Sequence, residues 1–132
     1  MPYIRLYVPE LSVDKKRAFA KDLTDTVVGA LKIPAEARDW TTIHFITYEP
    51  ESLAVGGRLV VDGSVAEFYV DYIDLDVNQH IKDDLARDVT AAVGRAFDLE
   101  PGQLGRVNFR YQCVKADDIA MGGHYVRKLI TT

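Results

Sequence analysis

One cysteine, Cys113, is the whole thiol content of 132 residues, so no disulfide can close within the chain and a reducing compartment suits it. Its place in an alternating apolar run predicts a buried structural thiol rather than a nucleophile. The three histidines, His44, His80 and His124, show no ligand spacing to one another or to Cys113, so no metal site is expected. The Gly-Gly pairs lack the lysine and the helix of a phosphate loop, and no cofactor is expected either. Positive charge is also short: sixteen Lys and Arg stand against twenty Asp and Glu, a net charge of -4. The basic residues are scattered among acids, which excludes the electrostatic footprint of a nucleic-acid binder. No stretch approaches the roughly 18 apolar residues of a membrane span, and no cationic segment followed by an apolar core opens the chain. A cytoplasmic protein with no membrane partner is the expectation.

What the chain does have is itself, twice. With 48% hydrophobic and 27% charged residues it has the composition of one compact domain, residues 1–132. Shifted by 66 positions, eleven residues coincide, among them Tyr3/Tyr69, Lys16/Lys82, Asp22/Asp88, Val27/Val93, Gly56/Gly122 and Gly57/Gly123. Apolar class persists at Ile4/Val70, Leu6/Tyr72, Ile43/Phe109, Phe45/Tyr111 and Leu53/Ile119. The domain is a fused duplication of pseudo-repeats spanning about 2–64 and 65–132. Pro2 follows the initiator methionine, whereas its match, Phe68, is internal and can never carry a free amine. The two halves cannot share one chemical role.

Each half predicts strand, helix, strand and a glycine-marked tail. Residues 2–8 are rich in β-branched and aromatic side chains. From Val13 to Leu31 the residues Phe19, Leu23, Val27 and Leu31 recur every four positions, giving an amphipathic helix with Ser12 as its N-cap and Pro34 marking its end. The second helix repeats this with Ile81, Leu85, Val89, Val93 and Phe97 after Asn78, closing at Glu100-Pro101-Gly102. The second strands alternate, most clearly with Val107, Phe109 and Tyr111 against Arg106, Asn108 and Arg110. A helix between two strands implies a right-handed βαβ crossover with parallel pairing. The fold class is therefore α/β in the α+β sense: two tandem βαβ units forming a four-stranded sheet with two helices on one face. The bare face, which carries Arg106, Asn108 and Arg110, calls for association with other copies. Trp40, at the entrance to the second strand, is expected to pack.

These elements resemble a known family. A Met-Pro start, a strand, an amphipathic helix, a second strand and then Leu53-Ala54-Val55-Gly56-Gly57, with Ile119-Ala120-Met121-Gly122-Gly123 repeating that tail, is similar to the 4-oxalocrotonate tautomerase (4-OT) pattern fused in tandem. The resemblance covers the whole chain. It implies the fold of the tautomerase superfamily, shared with macrophage migration inhibitory factor, and a homotrimer in which each fused chain replaces a dimer.

It also implies the chemistry of an N-terminal secondary amine. Methionine before a small residue is normally removed, which leaves Pro2 with a free nitrogen. Model α-amines titrate at roughly 7.7 to 8.0, and an apolar pocket or nearby positive charge lowers that further. Such an amine is a general base or acid for a keto-enol tautomerisation. The expected substrate is a small enolisable keto acid or related carbonyl compound, and the expected enzyme an isomerase with Pro2 as its catalytic residue.

The arginines by which single-unit tautomerases hold carboxylates have no match in the first loops, which read Pro9-Glu10-Leu11-Ser12 and Asp74-Leu75-Asp76. Asp74 and Asp76 are expected beside the site, favouring monoanionic or neutral substrates. On the second strand Arg110 is the expected anion clamp, with Asn108, Arg106 and His44 on the same face, and Ile119 replaces the family's aromatic as an apolar wall. The decarboxylase branch is disfavoured because its paired arginines are Asp74 and Asp76 here. The cis-3-chloroacrylic acid dehalogenase branch is disfavoured because Val27, Asn108 and Ile119 replace its histidine, tyrosine and glutamate. Those hydratase-, dehalogenase- or decarboxylase-type reactions, and a non-catalytic oligomeric binding or signalling protein, are the alternatives.

Overall fold

Ser12 and Asn78 each convert a loop into a helix. In the computed structural model, which describes residues 1–130 and side chains as far as Lys128, the Ser12 hydroxyl accepts the Lys15 N–H at 3.2 Å and the Asn78 carbonyl accepts the Ile81 N–H at 2.9 Å. Each cap satisfies one of the first-turn N–H groups that a helix leaves unpaired. Helix α1 runs Val13–Leu31 and α2 runs Gln79–Ala96. The first ends when Lys32 turns left-handed at φ 55° and its N–H returns to the Gly29 carbonyl, two residues ahead of Pro34. Replacing Ser12 or Asn78 by alanine is expected to cost about 1 kcal/mol each, additively, in urea unfolding.

The strands in chain order are β1 (Tyr3–Pro9), β2 (Thr42–Tyr48), β3 (Ala54–Val55), β4 (Arg58–Leu59), β5 (Phe68–Asp74), β6 (Val107–Cys113), β7 (Ala120–Met121) and β8 (His124–Tyr125), with a short helix α3 (Val126–Ile130) after them. Four of them form one sheet in the order β2-β1-β5-β6. Each βαβ unit pairs in parallel, and the register is repeated: Tyr3 faces Thr42 as Tyr69 faces Asn108. The halves join antiparallel through β1 and β5, Tyr3 facing Ile73 and Leu6 facing Val70.

Alternation decides which side is covered. Ile4, Leu6, Val8, Val70 and Tyr72 point to the helices and are fully buried against Leu23 and Val27 of α1 and Leu85, Val89 and Val93 of α2. Phe97 seals the seam, its ring 4.7 Å from Phe68 and 6.2 Å from Phe19. Arg95 on α2 forks onto Asp22 of α1 at 2.9 and 3.1 Å. Both groups are largely exposed, so the pair orients the helices more than it stabilises them.

The opposite face is bare and carries a row of polar and charged side chains across all four strands, with His44, Arg5, Asp71 and Arg110 successive neighbours in the register. Arg110 Nε lies 3.0 Å from Asp71, and the Tyr3 hydroxyl meets His44 Nδ1 at 3.1 Å. The Gly-Gly pairs form the turns of the β3-β4 and β7-β8 hairpins, with φ of 61° and 79° in the first and 59° and 83° in the second. Two successive positive φ values define a type I′ turn, which explains the doubled glycine.

Two expectations fail. Trp40 is 62% exposed because it closes a 3₁₀ turn, Ala35–Trp40, that delivers the chain to β2 before the core rows begin. Cys113 is exposed because it is the last residue of an edge strand.

Candidate active site

The two ends of the sheet differ in one respect that the duplication makes visible. Where the first half carries Leu6, Val8 and Phe45, the second carries Tyr72, Asp74 and Tyr111. Asp74 is only 4% exposed. Its Oδ2 accepts the Tyr72 hydroxyl at 2.9 Å, and its Oδ1 accepts the Leu75 N–H at 2.8 Å and the terminal ammonium of Met1 at 3.2 Å. The Tyr111 hydroxyl donates to the Leu75 carbonyl, and the two tyrosine rings lie 5.1 Å apart. Burial, and after it the charge of Asp74, holds both phenols well above their ordinary range. Each remains a protonated donor.

Pro2 is buried at the same end, its carbonyl accepting the Thr42 N–H at 3.0 Å. Since Tyr3 faces Ile73, one further step of the antiparallel register sets Pro2 opposite Asp74. Both side chains point to the helix side. On the β2 side the neighbouring residue is Thr41, whose buried hydroxyl has no hydrogen-bond partner. One step of register from Tyr3 on either side thus sets Pro2 between Thr41 and Asp74.

Beyond Leu75 lies a clasp that occurs twice. Asp76 pairs with Lys82 at 2.9 Å and accepts the Cys113 thiol at 3.2 Å. At the matched positions Glu10 pairs with Lys16 at 2.7 Å and accepts the Thr47 hydroxyl at 2.6 Å. These bonds lower Glu10 to about 2 and hold Asp76 below its usual range, while Asp76 pushes the Cys113 thiol up. The N-terminal ammonium contacts Asp74 and not Glu10, so the arrangement ties strand ends to helix starts whether or not that amine is near. Next to the second clasp opens a cavity of about 420 Å³, lined by Leu75, Asp76, Cys113, Val114, Lys115, Ala116 and Arg127. Lys115 and Arg127 bring positive charge to its wall.

Of the residues expected from the sequence, Pro2, Asp74 and Asp76 come together at this end. Arg110, Asn108 and His44 lie on the opposite face of the sheet, where a second cavity of about 400 Å³ is bounded by Tyr7, Tyr48, Tyr69, Asp71 and Arg110. From there they can serve a Pro2 site only on a neighbouring copy. Asn108 Nδ2 reaches Glu67 at 3.4 Å and the Arg106 carbonyl at 3.5 Å. Ile119 leads into the second hairpin, its carbonyl accepting the Val126 N–H at 2.7 Å. Sequence reasoning missed Thr41, Tyr72, Tyr111 and Lys115. The signal for Tyr72 and Tyr111 was present in the shift by 66, where apolar residues of one half turn into hydroxyls in the other.

No family model matches the sequence, and a comparison with curated proteins finds no match. Solved structures do match. A native fused 4-OT superposes at a TM-score of 0.85 with 16% identity, covering 96% of this chain and 98% of its own. Another fused 4-OT, described as an asymmetric trimer, gives 0.80 at 19% identity with the same coverage. A protein inactivated by 2-oxo-3-pentynoate gives 0.81 at 13% identity, again covering 96% and 98%. In all three the likeness spans both halves of the duplication, and the chain has the tautomerase-superfamily fold in its fused form.

Proposed function

We propose that the chain is a keto-enol tautomerase whose working group is the amine of Pro2, freed by removal of Met1. The observation that carries this reading is the asymmetry of the two ends: a buried carboxylate and two hydroxyls surround the one end that has a terminal amine, and apolar residues fill the matched end. In ketonisation the protonated amine of Pro2 delivers one N–H proton to the substrate carbon and is left neutral. The O–H bond of the protonated carbonyl then breaks, and its proton returns to nitrogen to restore the ammonium. The solved structures described as fused 4-OT, a tautomerase, support proton-transfer chemistry on this scaffold. Asp74 and Asp76 beside the amine disfavour dicarboxylates, so the substrate is a monoanionic or neutral enolisable carbonyl compound.

The active form is a homotrimer, as the fused 4-OT relatives are described, formed over the bare sheet face. In it Arg110 and Asn108 reach the Pro2 site of a neighbour and orient a carboxylate. Sedimentation is expected to show a trimer at micromolar protomer concentration, and a stable monomer would remove that arrangement. Arg110→Ala is expected to raise KM for carboxylate substrates, by an amount equivalent to about 2 to 5 kcal/mol if the charge pair is buried on binding; unchanged kinetics would place the anion site elsewhere, with Lys115 the next candidate.

The test of the function is a panel of enol and dienol ketones, monoacids and diacids followed by ultraviolet absorbance, on protein whose loss of Met1 is verified by intact mass. Turnover of monoacids or neutral enols above diacids is expected. Absence of turnover throughout, or a mature chain that keeps Met1, overturns the reading and leaves a non-catalytic oligomer.

A further inference from the structure

Asp74 is the one charged side chain among the described residues that is buried, and the fold does not require it. The matched position in the first half holds Val8, with Leu6 and Phe45 where the second half has Tyr72 and Tyr111. A carboxylate taken out of water is expensive unless its lone pairs are met and a cation stands near. Two of its hydrogen bonds come from neutral groups, the Tyr72 hydroxyl at 2.9 Å and the Leu75 N–H at 2.8 Å. The cationic partner is the Met1 ammonium at 3.2 Å; once Met1 is removed the terminal charge passes to the nitrogen of Pro2, the residue that the β1-β5 register sets opposite Asp74. Lys82, a nearby ammonium, is committed to Asp76.

We infer that Asp74 is the positioning counter-ion of the processed Pro2 amine, with Tyr72 fixing the carboxylate, so that Pro2 enters the reaction as a protonated donor at neutral pH. This rests on the Pro2 reading above and gives it a direction. The reaction that begins from such a state is delivery of a proton to the carbon of an enol or dienol, one N–H aimed at Asp74 Oδ1 and the other at the substrate. The N–H bond breaks as the C–H bond forms, and the enol O–H proton returns to nitrogen.

Of the other charges around the amine, most are balanced, and Lys115 in the adjoining cavity is the cation that works against a protonated amine. Asp76 is balanced by Lys82 from α2, and His80 on the first turn of α2 faces Asp84 at 3.7 Å. On the turn leading to β2, Arg38 is held by Asp25 at 2.6 Å. Thr41 on the β2 side, with Tyr72 and Tyr111 on β5 and β6, is uncharged. Lys115 and Arg127 line the adjoining cavity, and Arg127 pairs with Asp117 at 2.6 Å.

The test is the titration of the terminal amine itself, read by nitrogen-15 NMR on mature protein labelled at proline, without substrate. Asp74→Asn is expected to lower the titration midpoint by about one to three pH units, the size of the effect of an opposite charge in direct contact. Should that variant fail to fold, Asp74→Val combined with Tyr72→Leu reproduces the Val8 and Leu6 that the first half already packs, and the same fall is expected. A midpoint unchanged in a folded variant, or a wild-type amine largely unprotonated at neutral pH, overturns the inference. Because no substrate is present, either result stands apart from the tautomerase assay: activity with an unshifted amine would sink this inference alone.

Discussion

Pro2→Ala is expected to lower kcat by about a hundredfold or more while KM changes little, since general acid-base groups contribute roughly 10²- to 10⁴-fold and act on the transition state rather than on binding. Alanine also permits removal of Met1, so the variant keeps a terminal amine. What it loses is the ring, which ties the nitrogen back to the side chain and so fixes the direction of its lone pair, and the buried packing of the residue that the register sets between Thr41 and Asp74. A primary amine in the same place rotates, and its proton arrives off line. Steady-state rates on the best substrate of the panel, with mass confirmation of the N-terminus, check the result. An equal fall in stability would be a separate effect, visible in urea unfolding and absent from the kcat of the folded fraction.

Leu85→Ala is expected to destabilise the chain by about 2 to 5 kcal/mol, because a fully buried leucine loses both its transfer energy and the cavity it leaves. Leu85 is 0% exposed on the face of α2 that meets the sheet, in the same cluster as Leu23, Val27 and Val89. Alanine at Val13 or Val61, both exposed, is expected to change stability by less than about 0.5 kcal/mol. Urea midpoints compared at one protomer concentration check both, since association shifts apparent stability by mass action. If Leu85→Ala unfolds at the wild-type midpoint, the two-helix layer does not carry the core.

Much of this was legible before any coordinates, because the signals are local. The period of four in Phe19, Leu23 and Val27 is a helix with one buried face, and Ser12 before it is a cap, as the bonds to Lys15 and Ile81 at the two matched starts show. Gly56-Gly57 and Gly122-Gly123 announced turns, since a pair of left-handed residues is sterically easy only for glycine. Cys113 and Trp40 were misread for a common reason. Alternation identifies a strand and its faces but not where along the strand the helices stop covering it.

The sequence by itself determined the duplication, the two capped helices, the alternating strands and the uniqueness of Pro2, all of which are written in spacing between neighbours in the chain. It also held, in the change from Leu6, Val8 and Phe45 to Tyr72, Asp74 and Tyr111, a record that one end had become polar. Only the tertiary structure decided what that polarity surrounds. The antiparallel pairing of β1 with β5 joins residues some seventy positions apart, as Tyr3 and Ile73 show, and no local pattern specifies it; that register places Asp74 opposite Pro2. The alternation along β6 sends Arg110 to the far face, away from the amine in its own chain, because a side chain one residue out of step on a pleated strand points the other way.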